Sequence, residues 1–169
     1  MPTRRTLERA QRDKRQGKAP TTQAGEFIRE EFHHIREGKH GARSPRQAIA
    51  IGLSKARRAG VEVKPPSPDQ TAEGTRRKAE RDYERGHGKA AGRRVNPRRS
   101  AATERALKRE SRGSASSGAI AAQTHGAAAR RSKAQRSAAA RRAARTKGAA
   151  GRSAAAKHAP RTRATRARG

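Results

Sequence analysis

Residues 22–60 read TQAGEFIREEFHHIREGKHGARSPRQAIAIGLSKARRAG, and their spacing decides the fold. At 100° per residue, Ala24, Phe27, Ile28, Phe32 and Ile35 share one arc of about 140°, the apolar stripe of an amphipathic helix. Arg29, Glu30, His33, Arg36 and Glu37 face away. Thr22 is the expected N-cap, Glu26, Glu30 and Glu31 suit the positive N-terminal end, and Gly38 is the expected stop. Glu31 interrupts the stripe, which puts it at the stripe's edge or opposite a basic residue of a partner helix. A second start signal follows. Ser44-Pro45-Arg46-Gln47 is a capping box with proline at the first helical position. Ala48, Ile49, Gly52, Leu53, Ala56 and Ala59 then share a face, and Gly60 is the expected end. Ala48, Gly52 and Ala56 are small and four apart, so the bulky face of the first helix should lie close against them. The expected packing residues are Phe27, Ile28, Phe32, Ile35, Ile49, Gly52, Leu53 and Ala56. Ile51 points elsewhere, toward a second contact or a self-association surface.

Beyond this hairpin, large apolar residues thin out. Leu, Ile, Val and Phe supply 13 of 169 residues, below the roughly 20% at which a highly charged chain is expected to be disordered. Ordering a residue costs roughly 1–2 kcal/mol of backbone entropy, which so few side chains cannot offset over the whole length. The expected class is therefore all-α and largely disordered: a small helical hairpin (about 21–60) plus isolated charged helices and a disordered basic tail. Its parts are a basic N-terminal arm (1–20) with a weak helix around Leu7, the hairpin segment (21–63), a linker with charged helices (64–112), and an Arg/Ala-rich tail (113–169). Ser67-Pro68-Asp69-Gln70 repeats the capping-box signature and should open a helix to about Arg85. Asn96-Pro97 should open another, through Leu107. Both are expected to have little to pack against. Val63-Lys64-Pro65-Pro66 reads as a stiff linker. A hairpin of this size usually needs help to fold, so marginal stability or a homodimer is expected.

The formal net charge is +30. A chain this basic is drawn to polyanions, of which nucleic acid is the commonest. Anionic membranes and acidic proteins compete. There is no cysteine, which removes disulfides, Cys-ligated zinc and thiol chemistry. No stretch approaches 18 apolar residues, so no membrane span is expected. The start, MPTRRTLERA, lacks an apolar h-region, and Glu8 and Asp13 speak against an organellar presequence. The expected location is cytoplasmic.

Charge is uneven along the chain. Residues 1–66 carry a net +9, residues 67–112 a net +7, and residues 113–169 hold 14 Lys/Arg and no acid. Those 14 are the expected nucleic-acid contacts: Arg130, Arg131, Lys133, Arg136, Arg141, Arg142, Arg145, Lys147, Arg152, Lys157, Arg161, Arg163, Arg166 and Arg168. The guanidinium fork suits phosphate oxygens and keeps its charge. The tail lacks the aromatic platforms of single-strand binders, which favours backbone recognition of duplex DNA. A merely solubilising tail is the bland alternative. Alanine-rich runs such as Ser137–Arg145 have helix propensity that phosphate neutralisation would release.

The turn Gly38-Lys39-His40-Gly41-Ala42-Arg43 leads into a helix N-terminus, where Lys39, Arg43 and Arg46 form a possible phosphate site. A sharper version is a helix-turn-helix in which Arg43, Arg46 and Gln47 read base edges, but its turn is long and no third helix is apparent. His33 and His34 diverge by 100° on a helix and do not chelate together. No metal, cofactor or catalytic constellation is expected, and the chain does not read as an enzyme.

Residues Gly17–Gly60 resemble a bacterial family of small basic proteins of unknown function. The blocks Thr22-Gln23-Ala24-Gly25-Glu26-Phe27, Gly38-Lys39-His40-Gly41-Ala42-Arg43-Ser44 and Gln47-Ala48-Ile49-Ala50-Ile51-Gly52-Leu53 carry the resemblance, over about a quarter of the chain. Members often end in a Lys/Arg/Ala-rich tail and are often labelled histone-like or DNA-binding. The tail here is also similar in composition to that of linker histones, although it favours Arg over Lys. The resemblance implies a bacterial, nucleoid-associated protein, and with the charge of the tail the expected function is that of a histone-like DNA-binding protein with little sequence choice. RNA binding is the alternative, as is a helical adaptor that binds protein and is tethered to nucleic acid by its tail.

Overall fold

In the computed structural model, which describes residues 1–88, 96–145 and 148, two helices carry the quoted stretch: α2 (Pro20–Arg36) and α3 (Pro45–Arg58). Three further helices surround them in sequence, α1 (Arg4–Arg15), α4 (Glu73–Gly86) and α5 (Pro97–Arg109), followed by a 3-10 turn (Arg112–Ala115) and α6 (Ser117–Ala129). Among the described residues the chain is all-helical and has no strand.

The start of α2 differs from the expected one. It begins with Pro20 at N1, before Thr22, and no side chain caps it. Proline supplies a helical φ and lacks an N–H that would need a partner, so the helix gains its start without Thr22. At α3 the signal is used as read. Ser44 Oγ accepts from the Gln47 N–H at 3.3 Å, while Gln47 Oε1 reaches back to the Arg43 N–H at 2.7 Å.

The predicted faces meet. Phe27 and Ala56 are fully buried with Ala24, Ala10 and Val61, and Leu53, Leu7 and Val63 pack around them. Phe32, Ile35, Ala42, Ala48 and Ala115 form a second cluster flanked by Ile28, Ile49 and Ile120. Between the two, Gly52 touches the backbone of α2: a Cβ there would stand 2.8 Å from Ile28 Cα.

Helices outside the hairpin were expected to have little to pack against; this is corrected for α1 and α4, whereas α5 buries no residue. Leu7 and Ala10 of α1 cover the first cluster. Thr3 N–H donates to Glu30 Oε1 at 2.7 Å, and Lys18 closes the α1–α2 turn on Asp13 at 2.7 Å. Helix α4 lies on α3, with Ala79 buried and Asp82 accepting from Ser54 Oγ at 2.5 Å. Small contact residues explain the missed packing. Alanines and caps bring elements together without the large side chains on which the composition argument rests.

Helix α4 also starts later than expected. Ser67–Gln70 makes only an isolated turn, and the helix restarts at Glu73 after an extended Ala72. From there Ala79, Asp82 and Gly86 fall on one side toward α3. Asn96 caps α5 as anticipated, accepting from the Arg99 N–H at 3.2 Å. The linker after α3 is held by buried Arg57, whose Nε donates to the Val63 carbonyl at 3.0 Å.

The expected disorder of the tail is corrected as far as residue 145. The 3-10 turn buries Ala115 against the hairpin, and Arg36 Nε donates to the Ala115 carbonyl at 3.0 Å. Two compact units result, Met1–Gln123 and Thr124–Gly169. Within the second, a helix covers residues 133–145. A reciprocal capping box opens it: Ser132 Oγ accepts from the Gln135 N–H and Gln135 Oε1 from the Ser132 N–H, both at 3.1 Å.

Candidate nucleic-acid interface

The tail cations divide into two groups. Arg130, Arg131, Lys133, Arg136, Arg141, Arg142 and Arg145 are described and exposed. Lys147, Arg152, Lys157, Arg161, Arg163, Arg166 and Arg168 lie outside the described residues. On the 133–145 helix, 100° steps spread Lys133, Arg136, Arg141, Arg142 and Arg145 over about 240° of the circumference. The charge therefore wraps the helix instead of forming one stripe. No Asp or Glu lies between residues 113 and 169 to compete for it.

A second basic surface escaped the sequence reading. On α1, Arg5, Arg9, Arg12 and Arg15 border one shallow groove with Glu8. Their spacing gives an arc of about 120° on an ideal helix. The apolar face of α1 turns toward Phe27, which leaves Arg5, Arg12 and Arg15 exposed, while Arg9 is half-buried and pairs with Glu26 of α2 at 3.7 Å. The spacing was visible in the sequence, but which face is buried depends on the docking of α1.

A third surface is a groove of about 920 Å³, bordered by Lys39, Lys55, Arg81, Arg85 and Arg99. Ile51, which the periodicity turned away from the hairpin core, lines it together with Leu107. On its wall, Glu31 is buried and pairs through Oε2 with Lys55 Nζ of α3 at 2.5 Å. That is the cross-helix partner its interruption of the stripe called for. His34 and His40 border the same groove. Burial, with Lys39 next in effect, holds the His34 imidazole below its usual pKa. Burial alone would raise the Glu30 carboxyl, yet the Thr3 N–H and hydroxyl hold it below its ordinary value.

The turn after α2 is fastened to the far end of α5. Gly41 N–H donates to the Leu107 carbonyl at 2.9 Å and Ala42 N–H to Ser111 at 3.1 Å. A Cβ at residue 41 would fall 1.9 Å from the Glu110 carbonyl oxygen, so only glycine fits there. These main-chain donors are consequently spent on protein carbonyls. Of the possible phosphate residues, Lys39 faces Glu37 at 2.9 Å, Arg43 stands 3.7 Å from Glu110, and Arg46 is exposed. The Gly41 and Ala42 N–H groups therefore do not face an anion at this turn. The Gln47 amide, a candidate base reader, is engaged in its own cap.

Among the described residues no helix is long and apolar enough to cross a membrane. No family model, no curated protein and no solved structure matches the chain.

Proposed function

We propose that this chain is a histone-like protein that binds the phosphate backbone of duplex DNA with little sequence choice, as a nucleoid-associated factor. The observation that carries the reading is the set of seven described, exposed tail cations in a region without a single acid. Arginine pairs phosphate at any relevant pH, and unopposed charge is what counterion release rewards. The outward arginines of α1 add a second contact surface on the folded unit. The hairpin anchors this surface through a core in which Phe27, Ile35, Ala48 and Ala56 are fully buried.

Gel-shift titrations of the full chain with duplexes of unrelated sequence test the reading. Similar affinities are expected throughout. If the seven described tail cations each contact a phosphate, the log–log salt slope is about −6, at roughly −0.9 per contact. A salt-independent affinity refutes the proposal. Competition with duplex RNA and with single strands separates DNA from RNA as the preferred polyanion.

A further inference from the structure

Glu31, His34 and His40 each offer one ligand atom, and these atoms all lie within 4.8 Å of one another. The geometry points to a divalent transition-metal site, of zinc or cobalt type, at this Glu–His–His cluster. Two imidazoles and one carboxylate form a donor set of intermediate softness, which suits these ions better than calcium or magnesium.

Three independent features aim the cluster at a cation. The first is Glu31 itself. Its side chain is 1% exposed, Lys55 engages Oε2, and Oε1 is buried without a hydrogen-bond partner. An unpartnered carboxylate oxygen therefore faces the two rings. The second is His40. Its Nδ1 lies 3.0 Å from the Gly41 carbonyl, which can only accept, so Nδ1 carries a proton. Nε2 is then left to face Glu31 Oε1 at 3.3 Å, and the two make no hydrogen bond. A backbone carbonyl on the far nitrogen is how metal-binding imidazoles are oriented. The third is preorganisation. Glu31 and His34 stand three apart on α2, one turn along the same face. The Gly41 and Ala42 N–H bonds to Leu107 and Ser111 fix the loop that presents His40.

The spacing is close to what an ion needs. Metal–ligand bonds of about 2.0–2.2 Å set tetrahedral ligand atoms roughly 3.3–3.5 Å apart. The Glu31–His40 separation of 3.3 Å already meets this. His34 has to close by at most about 1.5 Å from the 4.8 Å limit, within reach of a ring rotation. The remaining coordination position opens on the basic groove, where water or an anion would complete the shell. A proton on His40 Nε2 is the rival occupant.

The test uses the full chain, stripped of metal by a chelator and freed of nucleic acid. Zinc chloride is titrated by calorimetry, and cobalt chloride by visible absorption. One saturable ion per chain is expected, with the cobalt bands of a low-symmetry nitrogen/oxygen site. Zinc should also shift the NMR ring signals of His34 and His40 and leave those of His33 and His125 in place, a readout that needs no variant. His34→Gln and His40→Gln should each weaken zinc binding at least as much as the 10–100-fold cost of losing an orienting partner alone. His33→Gln and His125→Gln should bind as wild type. Absence of a saturable one-to-one site in the wild-type chain overturns the inference and leaves the proton as occupant. Zinc shifts that fall on other histidines overturn it as well.

Discussion

Gly52 carries the closest approach between α2 and α3, and the cost of filling it follows from the geometry. A methyl group there meets Ile28 Cα at 2.8 Å, and Ile28 backbone cannot rotate away as a side chain would. Gly52→Ala should destabilise by about 1–3 kcal/mol, the usual range for overpacking a core, and Gly52→Leu by more. Chemical unfolding followed by circular dichroism measures both. Glu30 supplies a second test at this scale. Its folded pKa lies below the ordinary 4.5, since the Thr3 contacts outweigh the upward push of burial. A depressed carboxyl adds stability that is present above its unfolded pKa and lost as pH falls through the folded value. The stability gap between wild type and Glu30→Gln should therefore be constant above about pH 5 and should narrow below 4.5. A gap unchanged down to pH 3 contradicts the Thr3–Glu30 contact.

At the scale of elements, local start signals were legible where the partner group is only a few residues away. Ser44, Asn96 and the turn at Gly38 acted as their residue types require. Ser44→Ala should cost about 1 kcal/mol, typical of a lost N-cap, read as a shift in the denaturant midpoint. Signals failed where a competing start was better placed, as at Pro20 and Glu73. What lay beyond sequence reasoning was which helix covers which. Ala10, Ala79 and Ala115 carry no pattern that names their partners, yet each is buried against the hairpin. The metal candidate has the same character. Glu31 and His34 at i, i+3 were readable on one face, whereas the approach of His40 depends on how the loop is fastened to Leu107 and Ser111. Leu7→Ala tests α1 as a structural element. It removes apolar cover from Phe27 and should lower stability by about 1–2 kcal/mol, less than for a fully buried leucine.

For the whole molecule, every Asp and Glu lies within residues 1–112, and residues 113–169 hold 14 bases and no acid. The twofold nature of the protein was legible in composition. The extent of the folded part was not, because a low count of large apolar residues understates what alanine contacts and buried ion pairs can hold. Substituting Arg141, Arg142 and Arg145 together by Gln should reduce the salt slope of DNA binding by roughly 2.7, at 0.9 per contact. Thermal unfolding of residues 1–123 should be unaffected, since none of these three belongs to that unit. A slope that stays the same assigns the contacts to the α1 arginines instead.

The bonds that tie Gly41 to Leu107, Ala42 to Ser111 and Arg36 to Ala115 join points far apart in the chain, the last 79 residues apart. Bringing such distant segments together carries a loop-closure cost that neighbouring helices do not face. The α2–α3 hairpin, with its short connection, can form before this stitch is made. The segment from Leu107 to Ala115 is then the last to arrive in folding and the first to leave when the native state breathes. Native-state hydrogen exchange should find the amides of Gly41 and Ala42 opening at lower free energy than those of Phe27, Ile35 and Ala56, so that the loop presenting His40 relaxes while the hairpin beneath it stays intact.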